Sequence, residues 1–232
     1  MLFNMAYLKS SWWWWRPGAN TIAYYPLTST STISDMSGNG RNLTQNWNSD
    51  FWTYLGVDCV YVHWSNGSWF RCLTTQSITN SVLWNSFTLV FRWARETSKE
   101  LWCAFGWKDG KWNGLNYAAN NSNIKMELQN NWSVNSLTAT PTTTANQWNL
   151  FVAVYDNWTE KWYKDWTEIM NGSYTVGTIN VFWIWCGFWT QSSWYTYQHN
   201  GYVSNVIIEN KVRTADEILA YYNQTKSLYG IS

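Results

Sequence analysis

The last thirty residues constrain the fold more than any other stretch. From Tyr202 to Ile208 the chain reads Tyr-Val-Ser-Asn-Val-Ile-Ile. Val203, Val206, Ile207 and Ile208 put apolar side chains on both sides of a pleat, so this strand has to be covered on both faces. At Thr214 the apolar period changes. Thr214 and Glu217 form a Thr-x-x-Glu capping box, in which the hydroxyl accepts a first-turn N–H and the carboxylate reaches back to the cap. Ile218, Tyr221, Tyr222 and Thr225 share one helical face, while Asp216, Asn223, Gln224 and Lys226 take the other. Gly230 ends the helix. Such a helix has to pack its apolar stripe across the edge or face of a sheet.

The rest of the chain supplies that sheet in short pieces. Asn20–Leu27 is read as the first strand, closed by Pro26 and a Ser/Thr run, and Ile33–Gly40 as a turn in which Gly38 and Gly40 permit left-handed backbone. Strands are expected near 57–63 and 68–75. From Phe87 to Trp93, Phe87, Leu89, Phe91 and Trp93 alternate with Thr88, Val90 and Arg92, as in a half-buried strand. Further strands are expected over 101–106, 115–119 and 124–129, a spacing of about ten residues that fits a sandwich. Trp148–Tyr155 is the strongest, pairing with Glu160–Lys164 across the Asp156-Asn157-Trp158 turn. Strands over 169–176, 181–187 and 195–208 complete the set. The expectation is all-β: two antiparallel sheets and one short C-terminal helix.

Composition narrows the function. Fifteen Lys+Arg balance 14 Asp+Glu and only 12% of residues are charged, so there is no basic stripe for nucleic acid. No apolar run approaches the roughly 18 residues of a membrane span, and Met1–Ser11 lacks the basic start and apolar core of a signal peptide. Cys59, Cys72, Cys103 and Cys186 match no zinc spacing and are read as isolated buried thiols.

The tryptophans are anomalous. There are 22 Trp against 13 Gly in 232 residues, whereas Trp is ordinarily scarce and Gly abundant. Trp12 to Trp15 sit in Ser-Ser-Trp-Trp-Trp-Trp-Arg-Pro-Gly, a run that reads as a flexible linker if each is glycine. Trp158 and Trp166 occupy hairpin positions that want φ > 0, cheap for Gly and costly for an indole. Trp47, Trp64, Trp69, Trp107, Trp132 and Trp194 also stand beside Asn, Ser or Gly in turn-like settings. Most of these Trp are therefore expected to be UGA codons read as glycine, an alternative genetic code. Trp93 and Trp148 are the exceptions, each placed in a strand. The competing reading is a genuine aromatic-rich surface that stacks on sugar rings.

The final strand, with Thr-Ala-Asp-Glu-Ile (214–218) and Tyr-Asn-Gln-Thr-Lys-Ser-Leu-Tyr-Gly (222–230) after it, resembles the end of a concanavalin A-like lectin/glucanase domain of the laminin-G-like type. Thr21-Ile-Ala-Tyr-Tyr-Pro-Leu27, Asp35-Met-Ser-Gly-Asn-Gly-Arg-Asn-Leu-Thr44 and Ala145-Asn-Gln-Trp-Asn-Leu-Phe-Val-Ala-Val-Tyr-Asp156 fit the same family in the same order. The resemblance implies a jelly-roll sandwich over residues 19–232 behind an N-terminal tail or linker, 1–18. It also implies a setting, since the variant most resembled is often attached to phage tail and virion-surface proteins.

The function implied is non-catalytic recognition of a glycan or other cell-surface ligand for adhesion, with the N-terminal segment joining a larger assembly and the domain displayed on a virion surface or otherwise extracellular. The alternative is a decoration or spacer domain of a phage particle without ligand recognition. A glycosidase is disfavoured, because retaining hydrolysis needs carboxylates roughly 5 Å apart and the family's Glu-x-Asp-x-Glu pattern is missing. Candidate ligand contacts are Asn116 and Tyr117, read as one loop, and Tyr195, Tyr197 and His199 before the final strand; aromatic faces stack and amides pair with hydroxyls. For Tyr195 and Tyr197, simple alternation with core positions is the competing reading. Related domains often hold Ca2+, and Asp35 with Asn39 has hard oxygen donors. An Asx turn is the alternative role for Asp35, and the family's usual acidic residue in the last strand is here Ser204-Asn205.

Overall fold

The computed structural model describes residues 17–29, 33–46, 50–63, 72–75, 77–83, 85–94, 101–107, 113–120, 123–130, 133–135, 143–173, 182–184 and 200–232. The tail expected over 1–18 lies almost wholly outside them. The first strands are β1 Thr21–Tyr25, β2 Thr44–Asn46, β3 Asp50–Tyr54, β4 Val57–His63, β5 Cys72–Thr75 and β6 Ser86–Ala94. They are followed by β7 Leu101–Trp107, β8 Asn113–Asn120, β9 Asn123–Asn130, β10 Ser133–Asn135 and β11 Trp148–Asp156. The last are β12 Thr159–Lys164, β13 Thr167–Ser173, β14 Phe182–Ile184 and β15 Asn200–Glu209. A single-turn helix, α1 (Asn80–Leu83), precedes β6, and α2 (Ala215–Thr225) runs into a 3-10 turn over Lys226–Tyr229.

Two antiparallel sheets result. The eight-stranded one has the order β13-β12-β11-β6-β15-β4-β3, with β1 also on β15; the seven-stranded one runs β10-β9-β8-β7-β14-β5-β2. The all-β expectation holds. The short strands β2, β3 and β10 were not legible: β3 reads Asp-Phe-Trp-Thr-Tyr and is an edge strand, formed because β4 offers it an unpaired ladder.

β15 holds the first sheet together. It pairs with β6 along one side; along the other it pairs first with β4 and then with β1. Between Ser204 and Ile207 its register to β6 shifts, and Asn205 takes φ 57. That bulge has a packing consequence. Val203 and Val206 are an odd number of residues apart, so a regular strand would send them to opposite faces. The extra residue instead brings Val203, Val206 and Ile208 into the inter-sheet core with Phe91, Trp93 and Phe151, while Ile207 faces outward. The Asn205 N–H is not wasted, since it donates to the Pro26 carbonyl at 3.1 Å.

On that outer face lies α2. Ile218, Tyr221 and Tyr222 pack on Val90, Leu150, Val152 and Ile207, so the stripe read from the sequence is the docking stripe. The capping box is present in both directions: Thr214 Oγ1 accepts the Glu217 N–H at 3.3 Å and Glu217 Oε2 accepts the Thr214 N–H at 3.0 Å. Gly230, at φ 66, ends the 3-10 turn. Beneath the helix, Arg92 is fully buried. One guanidinium nitrogen donates to Thr225 Oγ1 at 2.7 Å, and the group lies 4.5 Å from the ring centre of Tyr229 and 5.6 Å from that of Tyr222. Nε and Nη1 have no hydrogen-bond partner, so aromatic faces carry the compensation for burying the charge.

The tryptophans divide by environment. Trp93, Trp148 and Trp162 are among the largest fully buried side chains, as expected for the first two. Trp158 is 57% exposed with φ 78, and Trp166 is 48% exposed. The geometry at 166 differs from the expectation of positive φ: the left-handed residue of that hairpin is Asp165 (φ 59), and the Trp166 ring rests 4.6 Å from that of Tyr222. Of the other suspect positions, Trp107 ends strand β7, and 12–15, 47, 64, 69, 132 and 194 lie outside the described residues.

Two stability measurements follow. Tyr222→Ala is expected to cost about 3–5 kcal/mol, the range for truncating a buried aromatic, in urea unfolding; a loss below about 1 kcal/mol would mean that α2 is loosely docked. Glu160 is 2% exposed, its Oε1 accepts the Trp162 Nε1–H at 2.5 Å, and its Oε2 has no partner. Burial pushes its carboxyl up from 4.5 to about 8. The folded state therefore keeps a proton that the unfolded chain releases, so stability falls as pH rises from about 4.5 to about 8, by at most about 1.4 kcal/mol per unit from this group. Glu160→Gln should flatten that slope in pH-dependent melting; an unchanged slope would reassign it.

Candidate binding surface

Because Trp148, Ala94, Tyr202 and Tyr61 are register partners on the adjacent strands β11, β6, β15 and β4, they form one row across the first sheet. The small Ala94 leaves room in that row, and the β3–β4 hairpin fills it. The Tyr54 ring stacks on Tyr202 at 3.8 Å, and its backbone carbonyl accepts the Trp148 Nε1–H at 3.2 Å. Tyr61 also stacks on Tyr202, at 4.7 Å, and the Trp52 ring lies 6.5 Å from that of Tyr61. The result is an aromatic stripe, buried at Trp148 and Tyr202, half-buried at Tyr54 and Tyr61, and 57% exposed at Trp52.

Polar groups border it. The Tyr54 hydroxyl donates to Asn146 Oδ1 at 2.7 Å, and Asn146 itself is exposed. Cys59, under the stripe, is a free buried thiol that donates to the Trp52 carbonyl at 3.4 Å. Burial pushes it up to about 12, which keeps it protonated and unreactive near neutral pH. What the stripe offers chemically is stacking area with hydrogen-bonding groups at its rim, the combination that suits sugar rings or aromatic and aliphatic side chains.

Sequence reasoning selected other residues. Asn116 and Tyr117 occupy strand β8 of the second sheet, paired with Ala104 and Glu127 and with Cys103 and Met126, and not a loop. Tyr195, Tyr197 and His199 lie outside the described residues. The stripe was missed because its members come from three separated segments, although Trp52 and Tyr54 already alternate in the sequence.

Asp35 and Asn39 lie together in the loop after β1. One Asp35 oxygen accepts the N–H groups of Tyr24 (3.0 Å) and Ser37 (2.9 Å), and the other accepts that of Arg41 (3.0 Å). The Asn39 amide nitrogen donates to the carbonyls of Thr21 (2.8 Å) and Ile22 (3.1 Å). Both side chains thus tie the loop to β1, Asp35 as an Asx turn, and a cation at Asp35 would compete with three backbone donors. Among the described residues no group of three or more His, Cys, Asp or Glu could hold a metal ion.

No protein-family model matches the chain, and no curated protein matches it by sequence. Solved structures do match by shape. One is botulinum neurotoxin type C, whose cell entry depends on interaction with two ganglioside molecules (TM-score 0.68, 13% identity, 95% of this chain and 52% of that one). A second is the binding domain of botulinum neurotoxin serotype D (TM-score 0.67, 13% identity, 88% and 51%). A third is the binding domain of paraclostridial mosquitocidal protein 1 (TM-score 0.64, 12% identity, 88% and 52%). The chain spans about half the length of these chains. At this identity the likeness establishes the fold alone, a two-sheet β-sandwich.

Chelation checks the Asp35 loop. The melting temperature is expected to be the same in EDTA and in millimolar calcium; a rise of several degrees on adding calcium, abolished by Asp35→Asn, would instead establish a calcium site there.

Proposed function

We propose that the chain is a non-catalytic binding module that recognises a glycan or another cell-surface ligand through the stripe formed by Tyr54, Tyr61 and Tyr202. The observation that carries this reading is the stack itself: two tyrosines of the β3–β4 hairpin converge with the distant Tyr202 on the outer face of a sheet and leave Tyr54 and Tyr61 half-exposed. The structural neighbours support it. Besides the type C toxin, they include a neurotoxin DC binding domain in complex with SialylT, and the same domain in complex with rat synaptotagmin II. Those ligands belong to those proteins; for this chain they support a search among both glycans and protein receptors.

The setting belongs to the same proposal. The domain is displayed on a virion surface or another extracellular assembly, joined to it through residues 1–18. What supports this is Ser10–Gly18, which has the composition of a linker if Trp12 to Trp15 are glycine, and the resemblance of the following segments to phage-associated laminin-G-like domains. Entry and stripe are also well separated along the sheet. The Asn20 carbonyl accepts the Asn210 N–H, just past the end of β15 that pairs with β1, whereas Tyr202 is near the other end of that strand. A tether at 1–18 therefore leaves the stripe on the free side.

A glycan array and a panel of host-cell surfaces test the proposal. Binding is expected, and Tyr61→Ala should weaken it at least about tenfold, the equivalent of about 1.4 kcal/mol, with the melting temperature little changed. Binding undiminished by Tyr61→Ala would move the site elsewhere. No binding to any glycan or cell surface would leave a decoration or spacer role as the better account.

A further inference from the structure

Two hairpins of the first sheet have the same turn. In the β3–β4 hairpin, Tyr54 pairs with Val57 and the two intervening residues are Leu55 (φ 51) and Gly56 (φ 79). In the β11–β12 hairpin, Asp156 pairs with Thr159 and the two intervening residues are Asn157 (φ 42) and Trp158 (φ 78). Positive φ at both central positions is the type I′ turn, whose preferred sequence is Asn-Gly. Position 158 therefore has the backbone of Gly56, preceded by the asparagine that such turns favour, but with an indole on a left-handed residue. Large side chains are seldom found there. The indole gains no compensating burial, being 57% exposed.

The buried tryptophans are the opposite case. Trp93 sits 6.1 Å from the Phe151 ring in the inter-sheet core. Trp148 donates to the Tyr54 carbonyl and meets Tyr229 at 5.5 Å. Trp162 packs edge-on to Phe91 at 6.3 Å and donates to Glu160. Glycine at any of these would empty a volume the size of an indole in a close-packed core. None of the three has positive φ.

We infer that the residue incorporated at position 158 is glycine, specified by a UGA codon, while positions 93, 148 and 162 are true tryptophans specified by UGG. One chain thus carries two kinds of apparent tryptophan, separated by backbone conformation and burial. This inference is independent of the ligand proposal, which rests on tyrosines.

The gene and the native protein decide it together. UGA is expected at codon 158 and UGG at 93, 148 and 162, and tryptic peptides of the protein from its native source should contain Asp-Asn-Gly-Thr-Glu over residues 156–160. A UGG codon at 158, a native peptide with tryptophan there, or glycine found at 93, 148 or 162 would each overturn the inference. Recombinant variants give a physical readout. Trp158→Gly should leave the melting temperature unchanged or raise it, whereas Trp148→Gly and Trp93→Gly should abolish the cooperative transition or lower it by more than ten degrees. A Trp158→Gly protein that melts markedly lower than the parent would show that the indole is structural.

Discussion

The burial of β15 on both faces is the constraint on which the rest of the first sheet depends. Its inward residues, Val203, Val206 and Ile208, belong to the core between the sheets, and its outward residue Ile207 belongs to the layer under α2. A strand with two apolar faces cannot remain at a surface, because either exposed face would forfeit on the order of 25 cal/mol per Å2 of apolar area. The helix is thus required by the strand that precedes it. The chain reverses over 210–213, held by Arg213, whose guanidinium donates to both carboxylate oxygens of Glu209 at 2.5 and 2.9 Å. Thr88 adds a second clasp by donating to the Lys211 carbonyl and accepting the Arg213 N–H.

The same face packs the C-terminal segment and carries the stripe proposed for recognition. Its surface is shared between α2 at one part and the β3–β4 hairpin with the 3-10 turn at another, and Arg92 lies under the helix beside Tyr229, which in turn touches Trp148. The aromatic stripe is therefore continuous with the packing of the C-terminal segment. Its inner members, Trp148 and Tyr202, are buried, and the half-exposed Tyr54 and Tyr61 stack on Tyr202, a packing that would fix the stripe ahead of the binding proposed above. Rigid aromatic surface binds at a lower entropic cost than mobile side chains do.

Local signals were sufficient wherever a contact is short in sequence. The capping box, the helical stripe and the Asp156–Thr159 hairpin all rest on residues within a few positions of one another, and each appears as read, whereas Phe87 to Trp93, read as half-buried, is buried on both faces because the C-terminal helix covers its outer one. The unusual status of Trp158 was legible for the same reason, since a two-residue turn and its φ requirement are local. Position 166 was less legible: which of two turn residues takes the left-handed conformation depends on the strand register and on Tyr222, a partner far along the chain.

The sequence alone, then, settled the class of the fold, the extent and apolar stripe of the C-terminal helix and the identity of the strands with strong alternation, because propensity, period and capping act over a few residues. Only the tertiary structure decided the order of strands in each sheet, the bulge that brings Val203 and Val206 to one face, and the stacking of Tyr54 and Tyr61 on Tyr202. Those depend on pairings between segments as far apart as Tyr61 and Tyr202. Such register comes from the burial of whole faces at once, and no window of neighbouring residues contains it.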